Sequence, residues 1–301
     1  MKLTIIKKYE GKEALVESKT LKRLKTTLIK KLPFFPNDKE TLKELELQNI
    51  SDVLIHYLHW QTRQVPVRVR KVQRSPELTS DKRYKNLKCG INAFLEKVRN
   101  GESLHSFLSK RAHKNGYTPV QRIKDGKAEP WEDKDQILNT KGFHHFHLNM
   151  EVEKTGLSKR TDEVLFAFVD RENFHAIGLF DHSVFDCINE NGVMSDEKER
   201  MWKIHEKYIT FGMQPGTGYT SNPIMASGHP IHLIRLAHHY MRIIMDLDSK
   251  LGDREFVNIL YKECEISPPS KFNLDWHVDS LDLGIIDNKN NRIFSINQGN
   301  L

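Results

Sequence analysis

Three hundred and one residues are enough for one large domain or two ordinary ones, with a core that needs no disulfide or metal staple. The 47 Lys and Arg against 40 Asp and Glu leave a net charge of +7, and 38% hydrophobic with 29% charged residues excludes a disordered or collagen-like chain. No apolar run reaches the roughly 20 residues that cross a bilayer, the start MKLTIIKKYEGKE lacks a signal-peptide core, and Cys89, Cys187 and Cys264 are too scattered for a disulfide framework, so a cytoplasmic protein without a membrane partner is expected.

The opening LTIIKKYEGKEALVE reads as two short strands around Gly11. Leu21, Leu24, Leu28 and Leu32 then recur at helical spacing among lysines until Pro33 stops them. Asp38 is a cap for a second helix, and Ser51 for a third through DVLIHYLHWQTR. QVPVRVRKV alternates valines with Arg68 and Arg70, which predicts an extended strand with an arginine face. Lys22, Arg23 and Lys25 on the first helix, with Arg68 and Arg70 here, are therefore candidate phosphate contacts, since clustered cations gain affinity by releasing counterions; two merely solvated faces are the alternative.

Beyond a polar boundary at RSPELTSDKRYKN, the stripe Ile91, Phe94, Leu95, Val98 and the segment GESLHSFLSKRAHK predict a helical hairpin. In GFHHFHLNM, period-two alternation puts Phe143, His145, His147 and Asn149 on one face and His144, Phe146, Leu148 and Met150 on the other, the latter largely core. DEVLFAFVD is apolar on both faces, as a central strand is, and DRE turns the chain straight into NFHAIGLFD; the strands 143–150, 162–170 and 173–181 should be consecutive and antiparallel. Ser195 caps a helix through EKERMWKIHEKYIT, a Gly/Pro-rich loop follows, and Pro230 opens a helix on which Arg235, His239 and Arg242 form a basic stripe. A short helix and a hairpin around 288–291 end the chain. The expectation is an α+β protein in three stretches: 1–80, a basic N-terminal region; 81–190, a helical hairpin with a His-rich antiparallel central sheet; and 191–301, a helical C-terminal region with a terminal hairpin.

Fifteen histidines are the compositional oddity. His145 and His147 share a strand face and His182 stands at a strand end, so these imidazoles can act as acid and base in RNA cleavage, where the 2′-hydroxyl loses a proton and the leaving 5′-oxygen gains one. Lys159, Arg160 and Arg171 in the adjoining turns can hold the phosphate. The bland alternative is histidines that only hydrogen-bond in a half-buried sheet. A second chemistry uses His145 and His147 with Asp181 or another carboxylate to bind a divalent metal, although spacing dictates no third ligand. Walker A, dinucleotide, Gly-x-Ser-x-Gly and zinc-protease signatures are absent, and no cofactor is expected. Arg200 and His205 have an Arg-x4-His spacing that resembles the motif of HEPN ribonucleases, with Met201 where that motif usually has a polar residue.

The order of helical hairpin, strand with His145 and His147, basic loop, apolar hairpin and strand-end His182 resembles the RelE/ParE-like toxin fold over residues 83–187. In that family two helices precede an antiparallel sheet, and basic residues with a late His or Tyr line an RNA-cleaving face. The resemblance implies that Arg160, standing before DEVLFAFV, is the arginine of that face and His182 its late imidazole. It also implies a toxin or phage-defence protein of bacterial type, with RNA as substrate and an antitoxin or other protein as partner. The rival of a different class is a non-catalytic nucleic-acid or protein-binding module that uses the basic stretches alone.

Overall fold

The computed structural model describes residues 18–186, 192–219 and 222–299, so the strand pair expected in the first seventeen residues lies outside the described residues. Ser18 accepts from the Leu21 amide at 3.1 Å and starts α1 (Lys19–Lys31), whose Leu21, Leu24 and Leu28 are buried and whose final Lys30 and Lys31 suit the negative end of the helix dipole. Asp38 caps α2 (Lys39–Leu47) through the Thr41 amide. The third helix, α3 (Ile50–Thr62), is capped by Asn49 rather than Ser51: Asn49 Oδ1 accepts from the Asp52 amide at 2.9 Å, and Ser51 already lies in the first turn.

The expected arginine-faced strand is a correction. Only Lys71–Arg74 pairs, as β1, and before it the alternation runs inside out: Val67 and Val69 are each 67% exposed while Arg70 is 3% exposed. Arg70 donates to the carbonyls of Pro66, Arg68 and Asp170 and so ties its own loop to the sheet. Three carbonyls take up Nε and one terminal nitrogen of this buried guanidinium, contacts that a valine could not make.

A short α4 (Pro76–Thr79) and the long α5 (Tyr84–Arg99) follow. The expected partner helix is instead a 3-10 turn at His105–Phe107 and a single-turn α6 (Lys110–Lys114), so α5 has no antiparallel mate. Leu104, Phe107 and Leu108 are used as separate plugs that sink into the core with Phe94, and an irregular path places them better than one helical stripe could. Then come α7 (Val120–Lys124), α8 (Gln136–Lys141) and the strands β2 (Phe143–His147), β3 (Glu163–Val169) and β4 (Asn173–Asp181).

These strands are consecutive and antiparallel, and β1 adds to β4 in parallel, giving a mixed sheet of order β1-β4-β3-β2. Asp170 makes the tight β3–β4 turn, its Oδ1 accepting from the Glu172 and Asn173 amides at 2.8 and 2.7 Å. One sheet face packs Phe146, Leu165, Ala167, Phe174 and Leu179 against Ile91, Phe94, Leu95 and Val98 of α5. Each of the Leu, Ile, Val and Phe side chains contributes about 1.5–3 kcal/mol by leaving water. The opposite face, with Phe143, Val164, Phe166 and Phe180, is covered by Ile137 of α8 and by Met201 and Ile204 of α9 (Asp196–Thr210), which Ser195 caps. Both faces of β2 are therefore enclosed, not only the one carrying Phe146.

A second core joins the two ends of the chain. Helices α1 to α3 pack with α10 (Ile231–Leu247), α11 (Arg254–Glu263) and an antiparallel sheet of β5 (Leu274–Asp279), β6 (Asp282–Asp287) and β7 (Arg292–Asn297). The terminal β6–β7 hairpin is the one expected, while β5 adds a third strand. Arg171, in the β3–β4 turn, pins the two sheets together by donating to Asp282 and to the Gly299 carbonyl. The protein is α+β, and none of the described helices is long and apolar enough to cross a membrane.

Candidate active site

β2 is an edge strand, and its pairing of His145 with Phe166 and His147 with Val164 directs both imidazoles to the α8/α9 side of the sheet. β4 ends at Asp181, whose Oδ1 accepts from the Ser183 amide at 2.9 Å and turns the chain into a 3-10 segment, His182–Phe185. That turn sets the His182 ring almost parallel to His147, with centroids 5.9 Å apart, and sets Phe185 edge-on to His145 at 4.9 Å. Arg160, in the loop entering β3, donates to Nε2 of His147. The four residues singled out as catalytic, His145, His147, His182 and Arg160, thus meet at one end of the sheet.

Hydrogen bonds assign the ring nitrogens. A guanidinium can only donate, so His147 accepts at Nε2 and carries its proton on Nδ1. A carbonyl can only accept, so His182 donates from Nδ1 to Asp162 O at 2.9 Å and leaves Nε2 facing outward on an exposed ring. His145 has its Nδ1 3.4 Å from Oδ2 of Asp135, the cap of α8. Burial pushes the His145 pKa below its usual 6.5 against the pull of the Asp135 carboxylate, with the charges of Arg160 and His182 adding to the depression. Burial and then Arg160 push His147 down to about 3. Both rings are neutral at neutral pH, the state that accepts a proton.

Two further histidines belong here and were not singled out. The Ser158 amide donates to Ser106 O at 2.8 Å, which lays the loop carrying Lys159 and Arg160 beside the His105–Phe107 turn. His105 and His113 stack edge-on with centroids 3.9 Å apart, and burial, then His105 and Arg160, bring His113 down to about 4. Their eight-residue separation in SLHSFLSKRAH was the available signal, hidden by reading that stretch as one helix.

The metal alternative finds no such convergence: Asp181 caps its turn and stands 4.0 Å from Arg83, and among the described residues no group of three His, Cys, Asp or Glu is placed to hold a metal ion. Arg200 and His205 do not converge either. Arg200 pairs with Glu197 and Asp81 over the Phe180 ring, whereas His205 is buried against Phe143. His144, on the opposite face of β2, is structural: it is buried and donates from Nε2 to Thr62 O at 2.9 Å.

The proposed phosphate contacts are scattered. Lys159 is exposed near the site, 3.6 Å from Glu151. Arg70 and Arg171 make the structural bonds described above, and together with Arg68 and Lys71 they line a second pocket of about 600 Å³ whose lining includes none of the clustered histidines. Arg23 is drawn to Asp275 at 2.5 Å, Lys25 donates to Glu46 O at 2.8 Å, and Lys22 and Arg68 are exposed. Arg235 and Arg242 are exposed on α10, and between them His239 meets Asn297 at 3.2 Å, on the core that joins the chain ends rather than at the histidine cluster. No family model, curated protein or solved structure matches the chain.

Proposed function

We propose that this protein is an RNA-directed endoribonuclease of the toxin-like or phage-defence kind, working by histidine acid/base chemistry without a metal. The observation that carries the reading is the meeting of Arg160 with His145, His147 and His182, in which hydrogen bonds assign the nitrogens of His147 and His182 and the Asp135 carboxylate stands 3.4 Å from Nδ1 of His145. His145, neutral and backed by Asp135, takes the proton from the 2′-hydroxyl. The 2′-oxygen bonds to phosphorus, the bond to the 5′-oxygen breaks, and the leaving oxygen takes a proton from Nε2 of a protonated His182. The products are a 2′,3′-cyclic phosphate and a free 5′-hydroxyl. Arg160 holds the phosphorane oxygens with the donors that it does not spend on His147, and His147, 2% exposed, is a positioning residue for that guanidinium. The RelE/ParE-like resemblance keeps its antiparallel strands and strand-end His182 but not its helical hairpin, and on that narrower basis supports a basic, imidazole-bearing sheet end acting on RNA; a protein that covers this end would be the natural inhibitor.

The test is incubation of the purified chain with mixed single-stranded RNA in the presence of chelator, with end-group analysis. Cleavage to cyclic phosphate ends, lost in His182→Ala and absent on DNA, is the expected result. Intact RNA with retained binding would favour the non-catalytic binding module.

A further inference from the structure

A groove of about 1460 Å³ is lined by α1, the Pro33–Asn37 turn and α6. It is larger than the roughly 300–1,000 Å³ of a site for a drug-sized molecule, which points to an extended ligand. Its rim carries Lys22, Lys30 and Lys31 on one side and Lys110 and Lys114 on the other. All five are exposed, and none makes an ion pair among the described residues. Acidic relief is slight, because the lining carboxylates are Glu46 and Glu132, and Glu132 is held by Arg111 at 3.3 Å and by Asn115 at 2.7 Å. The half-buried rings of Phe34, Phe35 and Trp60 line the same groove. Trp60 is held by its indole N–H, which donates to Ala112 O at 2.9 Å. His113 also lines it, and this ring meets His105 and feels the charge of Arg160, which ties the groove to the histidine cluster.

We infer that this groove is the track for a single strand of RNA, delivering it past His113 to Arg160; the inference rests on the proposed function and gives it a substrate class. Unpaired lysines along two rims suit a phosphate backbone, and apolar rings between them suit the faces of unstacked bases, a combination that a duplex with its bases paired inside cannot use. A polyacidic peptide would use the lysines but leave the rings unmatched. Neither α1 nor α6 alone makes the track. The chain ends must fold together, because α1 belongs to the core shared with α10 and the β5–β7 sheet.

The experiment measures binding apart from cleavage, using the full chain and a labelled 2′-O-methyl oligouridylate of about 12 nucleotides, which lacks the reacting hydroxyl. Fluorescence anisotropy should show binding that weakens with salt. Replacing Lys22, Lys30, Lys110 and Lys114 together by Gln should lower affinity at least about tenfold and reduce the salt slope by about 3, at roughly 0.7 per lost phosphate contact. Lys262→Gln, a charge change on an exposed α11 residue outside the groove lining, should bind like the parent. Unchanged affinity in the fourfold variant would overturn the track, and so would equal affinity for a duplex of the same length or for polyglutamate. Groove-dependent binding with no cleavage of ordinary RNA would leave the track standing and sink the nuclease reading instead.

Discussion

Arg160 donates to Nε2 of His147, so an exposed cation of the cluster is held in place by a buried imidazole. The partners come from different elements, the loop before β3 and the edge strand β2, and the bond fixes both the His147 tautomer and the direction of the guanidinium. Replacing Arg160 by Ala should cut the rate of RNA cleavage by about 10²–10³ if it stabilises the phosphorane, while the thermal midpoint moves little because the side chain is exposed. Arg160→Lys should recover only part of the rate, since a point charge cannot hold the phosphate bidentately while also binding His147. Single-turnover rates beside a melting curve check both; a parallel loss of stability and rate would make Arg160 structural.

Asp135 offers a pH signature. Its carboxylate raises the His145 pKa against the stronger depression from burial, so removing the charge should lower that pKa further. The protonated form of His145 then appears only at lower pH, and the acid limb of the rate profile in Asp135→Asn should move to lower pH. Asn keeps the cap on α8 that Asp135 Oδ1 makes with the Leu138 amide at 3.0 Å, so helix loss does not confuse the result. An unmoved acid limb would remove His145 as the base.

How far these residues were legible differs along the chain. Period-two alternation in GFHHFHLNM placed His145 and His147 on one face, and the two-residue turn at Arg171 and Glu172 dictated the antiparallel hairpin that brings His182 to the same sheet end. The alternation in VPVRVRKV misled, because Arg70 found three carbonyls inside and left Val67 and Val69 in solvent; hydropathy cannot see a partner a hundred residues away. Asp135 was invisible as a site residue for the same reason, reaching His145 only through tertiary packing, and the spacing of His105 and His113 gave a signal that the helical reading of that stretch hid. The pairing of α1 with the C-terminal sheet was likewise beyond local pattern, since a leucine stripe states that a face is buried but not against what.

A third group of histidines should set the acid stability. His56, His59 and His229 pack ring to ring, with centroids 4.8 Å apart for His59 and His229 and 5.1 Å for His56 and His229. Burial holds His56 and His229 down to about 3 and His59 well below its usual range. In the unfolded chain each takes a proton near pH 6.5, so the unfolded state binds more protons and stability falls as the pH drops below about 6.5. Each group costs up to about 1.4 kcal/mol per pH unit down to its folded pKa. The urea midpoint should be flat from pH 8 to 7 and fall steeply from 6 to 4. In His56→Phe the fall should be shallower, and an equal slope would show that the His56 ring is hydrated in the folded protein.

Gly116 forms part of the base on which the groove rests. Its amide and that of Tyr117 donate to the Pro33 carbonyl at 2.9 and 3.0 Å, and the Phe35 amide returns a bond to Tyr117 O at 2.8 Å, so the 115–117 segment holds the turn carrying Phe34 and Phe35. A Cβ on residue 116 would lie 2.5 Å from the Pro33 carbonyl oxygen and 2.6 Å from the Leu32 side chain. Backbone cannot yield as a flexible side chain does, so Gly116→Ala should destabilise the fold by about 1–3 kcal/mol, read as a lower urea midpoint with an unchanged slope. The same displacement moves Phe34 and Phe35 relative to Lys110 and Lys114. Affinity for the 2′-O-methyl oligonucleotide should therefore fall in the folded variant, while cleavage of a dinucleotide, too short to lie along the groove, should proceed at the parental rate. Loss of dinucleotide cleavage at a temperature where the variant is folded would mean that Gly116 supports the histidine cluster itself.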